Sequence, residues 1–555
     1  MGKFAKNSRN QKLTDSLEKM PVSVDAAKTA ANIPDYNAKN RQGYNAYAIE
    51  DELRLVSMLN TLKLENQFYR TNKEQMLEIQ ALVEKIALND PYFVAQAIVW
   101  SRCLGEGMRS INHVAAAVLA PYISGKEWTK RFYSLFSKKT KSGGCIYRPD
   151  DMIEIKAVYE TLGNTVLSNG MKKGFARAIE QLDNYQLAKY KKAIIDLANL
   201  CHPSPERSQA TFKDNDGKIV KTLDAIMKGQ TVIADTWESA QSEAGQIVAE
   251  SVRSGKLSKE KAEEVLKEAK NDNWESLLND GRLPILAALR NLSNMLLGEK
   301  QEVIDKVCEL VSNEALLKAG KIMPYQIDLA YETLMTNAGK YHNKAQVRKV
   351  MSALEDGIEK STANLKELLT GNNLVIIDAS GSMTSKMVQA GSSYGNCQYT
   401  ASSCADKAAL VGAMILKATN ADLIEFGSYA HDVNYNPRSS VFDIARNIKN
   451  SSMGCTNLAS AFQLITSQKK KYDRIFILSD NECNSGYNKE AYKNYVRTVA
   501  NPYIYSIDLA AYGTKPIDSD KVHYFFGYGY AMFDTIAQSE FNPMKVMDEI
   551  RKIVI

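Results

Sequence analysis

The sequence predicts a multi-domain chain: a long α-helical repeat scaffold followed by an α/β domain of the doubly wound kind. Three observations predict it. Apolar faces with the helical period recur from residue 51 to about 368. The character then changes at Gly371-Asn372-Asn373. Beyond that point apolar runs ending in small polar residues alternate with helical patterns, as in a parallel sheet covered by helices.

Residues 1–45 are polar, without a sustained period, and read as a loose arm with one or two short elements. The start, MGKFAKNSRNQKL, lacks the apolar stretch of a signal peptide. Lys6 stands where a myristoylation motif wants Ser or Thr. The first strong helical face lies in 74–88, where Met76, Ile79, Leu82, Val83 and Ile86 fall on one side. Similar faces recur at 91–102, 111–121, 172–182, 190–201, 283–297, 302–312 and 324–336. Many helices joined by short Gly or Pro breaks suggest stacked repeats rather than one bundle, although no strict period is present. Residues 254–273 carry charge on nearly every face and read as a solvated helical excursion. The most apolar stretches, 91–100 and 113–122, fall short of the roughly 20 residues a membrane-spanning helix needs.

The α/β part begins with LVIIDAS, a strand ending at Asp378. A helix is predicted over 403–418, a strand over 421–427, a helix over 440–449 and a strand over 473–480 ending at Asp480. A helix over 487–499, a strand over 502–509 and a final helix over 532–554 complete it. Ligands of such sheets sit at the carboxyl ends of the strands, where both aspartates lie.

Charge and cysteines bound the function. The chain has 70 basic and 64 acidic residues, a net +6. Nucleic-acid binding therefore requires a local patch, because the average charge is too small to supply it. From residue 372 onward the balance is 18 basic to 17 acidic, so the excess lies in the first 371 residues, and a patch there must be local. Eight scattered cysteines without a CxxC pair read as reduced thiols of a cytoplasmic protein. Five histidines, none at metal spacing from a cysteine pair, speak against zinc.

The strongest motif is Asp378-Ala-Ser380-Gly-Ser382. One carboxylate and two hydroxyls at alternate positions converge on one cation if the chain turns at Gly381. The all-oxygen set suits a hard divalent ion, with Mg²⁺ expected. Thr456, in Gly454-Cys455-Thr456-Asn457, and Asp480 complete the candidate ligand set. The set carries little net charge, which leaves the ion able to take an acidic group from a partner. An enzyme is not expected. No histidine lies in these motifs, and His431 and His523 read as isolated residues on loops or strand edges. A phosphatase of the haloacid dehalogenase kind would want a second Asp where Ser380 stands.

One stretch gathers positive charge. Lys172, Lys173, Arg177, Lys189, Lys191 and Lys192 face only Glu180 and Asp183 between residues 170 and 192. Tyr185 and Tyr190 interleave with them. Lysines for phosphates and aromatics for stacking make a plausible RNA surface, against the blander alternative of a solvated helix face. A second basic run, Lys126 to Lys141, contains Trp128, Phe132, Tyr133 and Phe136, which at helical spacing read as core.

The D-x-S-x-S element, the later Thr and the later Asp resemble the metal-ion-dependent adhesion site (MIDAS) of von Willebrand factor A domains. Together with the preceding helices they resemble the Ro autoantigen family, whose helical part is the TROVE domain. The supporting stretches are Asn169-Gly-Met-Lys-Lys-Gly-Phe-Ala-Arg-Ala-Ile, Lys189-Tyr-Lys, Leu200-Cys-His202-Pro203, Leu283-Pro-Ile-Leu-Ala-Ala-Leu-Arg290-Asn291-Leu and Met323-Pro324-Tyr325-Gln-Ile. Their order is that of the family, and the resemblance covers about residues 45–555.

The resemblance implies an α-helical ring of HEAT-like repeats closed by an α/β doubly wound von Willebrand factor A-like domain. The boundaries expected are 1–45 for the arm, 46–370 for the TROVE-like RNA-binding part and 371–555 for the A-like domain. It implies binding of small noncoding Y-like RNA on a basic outer surface and of single-stranded ends of misfolded RNA in the ring, in RNA quality control. Lys189, Lys191 and His202 match family positions that contact RNA, and Lys192 stands near a family Arg. The ring is expected to be monomeric, without a membrane, and an exoribonuclease or another protein is an expected partner. The alternative is a metal-dependent protein-interaction scaffold that binds no RNA.

Overall fold

The computed structural model describes residues 33–384 and 403–555, apart from residues 63, 65, 106, 140–144, 147–148, 215–216, 231–236, 321, 449–452, 528–529, 541 and 543. Residues 1–32, most of the expected arm, lie outside the described residues. The fold is the one the sequence predicts. Helices fill the chain from Asp51 to Leu368, and an α/β domain follows. No described helix is long and apolar enough to cross a membrane.

The α/β domain is built on a six-stranded sheet. Its strands are β1 (Asn373–Asp378), β2 (Asp422–Phe426), β3 (Ala430–Asp432), β4 (Arg474–Ser479), β5 (Tyr503–Asp508) and β6 (Val522–Phe526). The spatial order is β6-β5-β4-β1-β2-β3, with all neighbours parallel except β3, which runs antiparallel on β2. β1 and β4 are buried at every position, which is why they read as continuous apolar runs rather than alternating ones. Their period of two sends Val375 and Ile377 to one face and Leu374 and Ile376 to the other. The second face is covered by helices Leu458–Ser467 and Asn488–Thr498, through Phe462, Tyr492 and Tyr495. The first face packs on helix Cys404–Thr419, and its apolar core is continuous with that of the helical part.

The helical part starts and finishes against this domain. At its beginning, Gln96 Nε2 donates to the carbonyls of Arg551 and Ile553, at 2.9 and 2.8 Å. Arg551 pairs with Glu52 and Asp90. At its end, Tyr331 stacks on Phe442, with ring centres 4.2 Å apart, and Arg446 pairs with Glu332. Between these ends, neighbouring helices pack in sequence. Helix Asn169–Glu180 packs against helix Thr129–Ser134. A Cβ on Gly174 would stand 2.5 Å from Tyr133 Cβ and 2.9 Å from the Lys130 carbonyl, and one on Gly170 would stand 2.6 Å from Thr129 Cγ2. The two glycines, four apart on one helix face, thus let two backbones meet. Gly174→Ala is expected to cost about 1–3 kcal/mol by overpacking. A thermal midpoint equal to that of the unaltered chain would contradict this.

A buried ion network ties helices Pro91–Cys103, Ser110–Leu119 and Pro149–Thr161 together. The fully buried Asp151 accepts from Arg102 and Arg109 and pairs with His113. His113 lies between Asp151, 3.0 Å from Nε2, and Glu154, 2.7 Å from Nδ1. Burial alone would depress the imidazole pKa, but hydrogen bonds to the two carboxylates outweigh it and raise it above its usual value. The imidazolium therefore stabilises the fold fully below about pH 6.5, and this contribution is lost as pH rises through the raised folded value. The thermal midpoint should fall as pH rises above about 6.5, and His113→Gln should flatten that fall. An identical pH profile would refute the assignment.

Several expectations are corrected. The final helix predicted over 532–554 is two helices, Tyr530–Ser539 and Lys545–Arg551, because Pro543 cannot continue the first. β6 was not foreseen, since its five residues VHYFF interrupt the apolar pattern with His523. The loose arm is corrected for its described part. Ala38–Lys39 and Asn45–Ala48 form a hairpin whose second strand pairs with Thr514–Lys515 of the α/β domain. His431 and His523 do lie on the two edge strands, β3 and β6. Phe132, Tyr133 and Phe136 are core, as their spacing suggested. The six described cysteines outside the short 138–146 hairpin are free thiols.

Candidate functional site

The first candidate site lies at the carboxyl ends of β1 and β4. Asp378 closes β1, and its Oδ1 accepts the Ser380 amide at 2.9 Å, which folds the chain back at Gly381. The Ser380 and Ser382 hydroxyls then stand 3.2 Å apart. Asp378 Oδ2 accepts the Ser479 hydroxyl at 2.5 Å, fixing the carboxylate between two strands. Asp480 follows β4 directly. Its Oδ1 accepts the Glu482 amide at 3.1 Å, and Asn481 turns the chain in the left-handed region at φ +62°, a conformation asparagine tolerates.

The loop carrying Thr456 is stitched to the D-x-S-x-S turn through the backbone. Met453 donates to the Ala379 carbonyl at 2.8 Å, and Gly381 donates to the Gly454 carbonyl at 3.0 Å. Thr456 is itself held to the loop after β4, since its amide donates to Asn484 Oδ1 at 2.8 Å. The structure therefore brings the elements bearing all five predicted ligands, Asp378, Ser380, Ser382, Thr456 and Asp480, into one hydrogen-bonded network. All five are buried, and Ser382 is the most exposed at 8%.

The electrostatics favour a cation here. Burial pushes the Asp378 carboxyl above the usual range, against hydrogen bonds from Ser380 and Ser479. Burial and then the charge of Asp378 push Asp480 well up. Two buried carboxylates, both raised by burial and one also by the other's charge, with three hydroxyls on the same loops, form a donor set that a hard divalent ion would neutralise. Among the described residues no group of three or more His, Cys, Asp or Glu gathers at metal-binding distance. Two acids plus hydroxyls is the composition the sequence implied.

Sequence reading missed three contributors. Ser479 was visible beside Asp480 but carried no spacing that marked it. Tyr69, from the helical part, has a phenol raised to about 12 by burial and then by Asp480, with the Ser382 hydroxyl as its hydrogen-bonding partner. Glu482 is fully buried and accepts the Arg41 amide at 2.8 Å.

The second candidate site is the basic stretch. It spans helices Asn169–Glu180, Asn184–Lys189 and Lys191–Cys201. Lys173, Arg177, Lys189, Lys192 and His202 are exposed, and Lys172 and Lys191 are half-buried. Lys189 lies over the Tyr185 ring at 5.2 Å from its centre and donates to its hydroxyl at 2.8 Å. Lys191 is partly engaged, donating to the Gln230 carbonyl at 2.8 Å. Lys172 acts on the Cys201 thiol, which places it near the end of helix Lys191–Cys201 and so near His202.

The two acidic residues of the stretch are turned to the backbone. Glu180 accepts the Ser204 amide at 2.9 Å, and Asp183 caps helix Asn184–Lys189 through the Gln186 amide at 2.8 Å. Their side chains are therefore not spent on the lysines. His202 ends its helix with left-handed backbone, φ +52° and ψ +57°, which costs a non-glycine residue roughly 1–2 kcal/mol. Strain of this kind persists where surrounding structure holds it, and it clusters at functional positions.

Two family models match the chain. Residues 248–376 match the TROVE domain, and residues 372–502 match the Ro60 vWA domain. The two matched segments overlap at residues 372–376. The basic stretch lies upstream of the TROVE match, so its role rests on geometry and on the resemblance quoted for it. The structure is similar to the crystal structure of the Deinococcus radiodurans Ro (RSR) protein, with a TM-score of 0.55 and 16% identity. The alignment covers 88% of this chain and 100% of that one, and at this identity it is a likeness of fold. The TROVE and Ro60 vWA matches over residues 248–502, on a fold similar to that of a Ro protein, support placing this chain with the TROVE-domain Ro proteins.

Proposed function

We propose that this chain is a cytoplasmic RNA-binding protein of the Ro type, without catalytic activity of its own. The observation that carries the reading is the outward basic face formed by Lys173, Arg177, Lys189, Lys192 and His202 on consecutive helices. Lys173, Arg177 and Lys192 make no ion pair among the described residues. They are available for phosphates, with Lys172 and Lys191 at the margin of the same surface. Contacts of this kind supply salt-dependent affinity, and RNA shape supplies selectivity.

In this reading the ligands are small structured noncoding RNAs of the Y-like class and the single-stranded ends of misfolded RNAs, and the role is RNA quality control. An exoribonuclease or another protein is the partner expected beside the RNA, with the chain acting as a monomer. Asp378, Ser380, Ser382, Thr456 and Asp480 would hold a divalent ion, most simply Mg²⁺. The ion would supply positive charge for an acidic partner group. The chain's own residues orient the site, with Ser479 fixing the Asp378 carboxylate and Asn484 fixing Thr456.

Fluorescence anisotropy with a small hairpin RNA bearing a single-stranded 3′ tail tests the RNA reading. Binding that weakens steeply with salt and exceeds that of a blunt duplex is expected. Equal and salt-independent binding of both would refute it. The second reading, a protein-interaction scaffold that binds no RNA, is favoured only by the buried acidic and hydroxyl-lined site. It predicts Mg²⁺-dependent capture of an acidic protein and no RNA affinity.

A further inference from the structure

The loop that carries Asp480 is gripped by a segment more than 400 residues upstream. Asn40 Nδ2 donates to the Cys483 carbonyl at 2.6 Å, and the Arg41 amide donates to Glu482 Oε2 at 2.8 Å. Gln42 Nε2 donates to the Glu482 carbonyl at 3.0 Å, and Gln42 Oε1 accepts from Asn484 Nδ2 at 3.2 Å. Asn40 is 7% exposed, and its Oδ1 accepts the amides of Gln42 and Tyr44, so it also shapes the turn between the two hairpin strands. These bonds run on into the candidate ligands by two routes. The Glu482 amide orients Asp480, and Asn484 Oδ1 holds the Thr456 amide.

We infer that the turn Asn40–Gln42 is a positioning element of the cation site, so that cation binding and docking of the N-terminal hairpin are coupled. The inference rests on the proposed divalent-ion reading of Asp378 and Asp480 and adds a regulatory consequence to it. The turn donates three hydrogen bonds to residues 482 and 483, and only when docked does it fix both Asp480 and Thr456. Neutralising the two buried carboxylates stabilises the same loop from the other side. Linkage is reciprocal: if docking strengthens cation binding by some factor, the cation strengthens docking by that factor. Release of the hairpin, by a partner or by proteolysis, would then weaken ion binding by the same factor.

The experiment uses the full chain with Mn²⁺ as the probe, followed by calorimetry, and amide hydrogen exchange of residues 38–48 with and without the ion. Asn40→Ala combined with Gln42→Ala should weaken Mn²⁺ binding about 5- to 50-fold, within the range of ordinary coupling energies. Gln42→Ala alone should weaken it less and serves if the double variant does not fold. In the unaltered chain, Mn²⁺ should slow exchange across 38–48. Unaltered Mn²⁺ affinity in the variants would overturn the coupling and leave the cation site standing. Weakened affinity without any effect of Mn²⁺ on exchange would also overturn it. If the unaltered chain takes no Mn²⁺, the cation reading falls and this inference falls with it.

Discussion

Replacing Lys173, Arg177, Lys189 and Lys192 together with glutamine weakens RNA binding by roughly 100-fold at low salt and reduces the salt dependence by about three in logarithmic slope. All four side chains are exposed, and none fills a core. Thermal stability should therefore move little, which separates a binding effect from a folding one. The choice of four follows the structure rather than the sequence alone. Lys191, equally basic on paper, is half-buried and bonded to the Gln230 carbonyl, so changing it disturbs the local fold as well. An unchanged salt slope in the fourfold variant would mean that the RNA, if bound, lies elsewhere.

The second large effect reverses sign with the ion. Asp378→Asn removes a buried carboxylate whose own pKa is raised by burial and whose charge helps raise that of Asp480. In chelator the variant should be more stable than the unaltered chain, by about 2–4 °C, the shift roughly 1 kcal/mol produces in a domain of this size. In saturating Mg²⁺ the order should invert, since the variant loses about 100-fold or more in ion affinity. The pH dependence follows the same logic. Both folded carboxylate pKa values are raised above the unfolded ones, so without the ion stability falls as pH rises from the unfolded values through the folded ones. Added Mg²⁺ should flatten that fall. A variant less stable than the unaltered chain in both conditions would show the carboxylate to be structural only.

How much of this was legible depended on whether the cause was local. β1, β2, β4 and β5 were readable because strands buried on both faces need unbroken apolar runs, and LVII and RIFIL supply them. Asp378 and Asp480 were readable because the chain must turn where such a run ends. The candidate ligand set was therefore visible as three separate short motifs. β6 was not, because five residues at a sheet edge carry too little pattern around His523. The docked hairpin was not either. Its strands are two and four residues long, and their partners are Thr514 and Lys515 and the 482–484 loop, which nothing in the local sequence announces.

The basic stretch lay between these cases. The sequence showed the charges but could not show that Glu180 and Asp183 are spent on backbone amides, or that Gly170 and Gly174 mark a helix crossing. Glycines in Asn169-Gly-Met-Lys-Lys-Gly entered the comparison as part of a motif. The structure gives them a packing cause, since any side chain at Gly174 would meet Tyr133.

The central claim is that the exposed basic helices hold RNA. Native purification of the full chain and of the fourfold variant, followed by sequencing and quantification of bound nucleic acid, tests it most directly. The account predicts small structured RNA with the unaltered chain and its loss from the variant. Absence of RNA from both, or equal RNA on both, would contradict it.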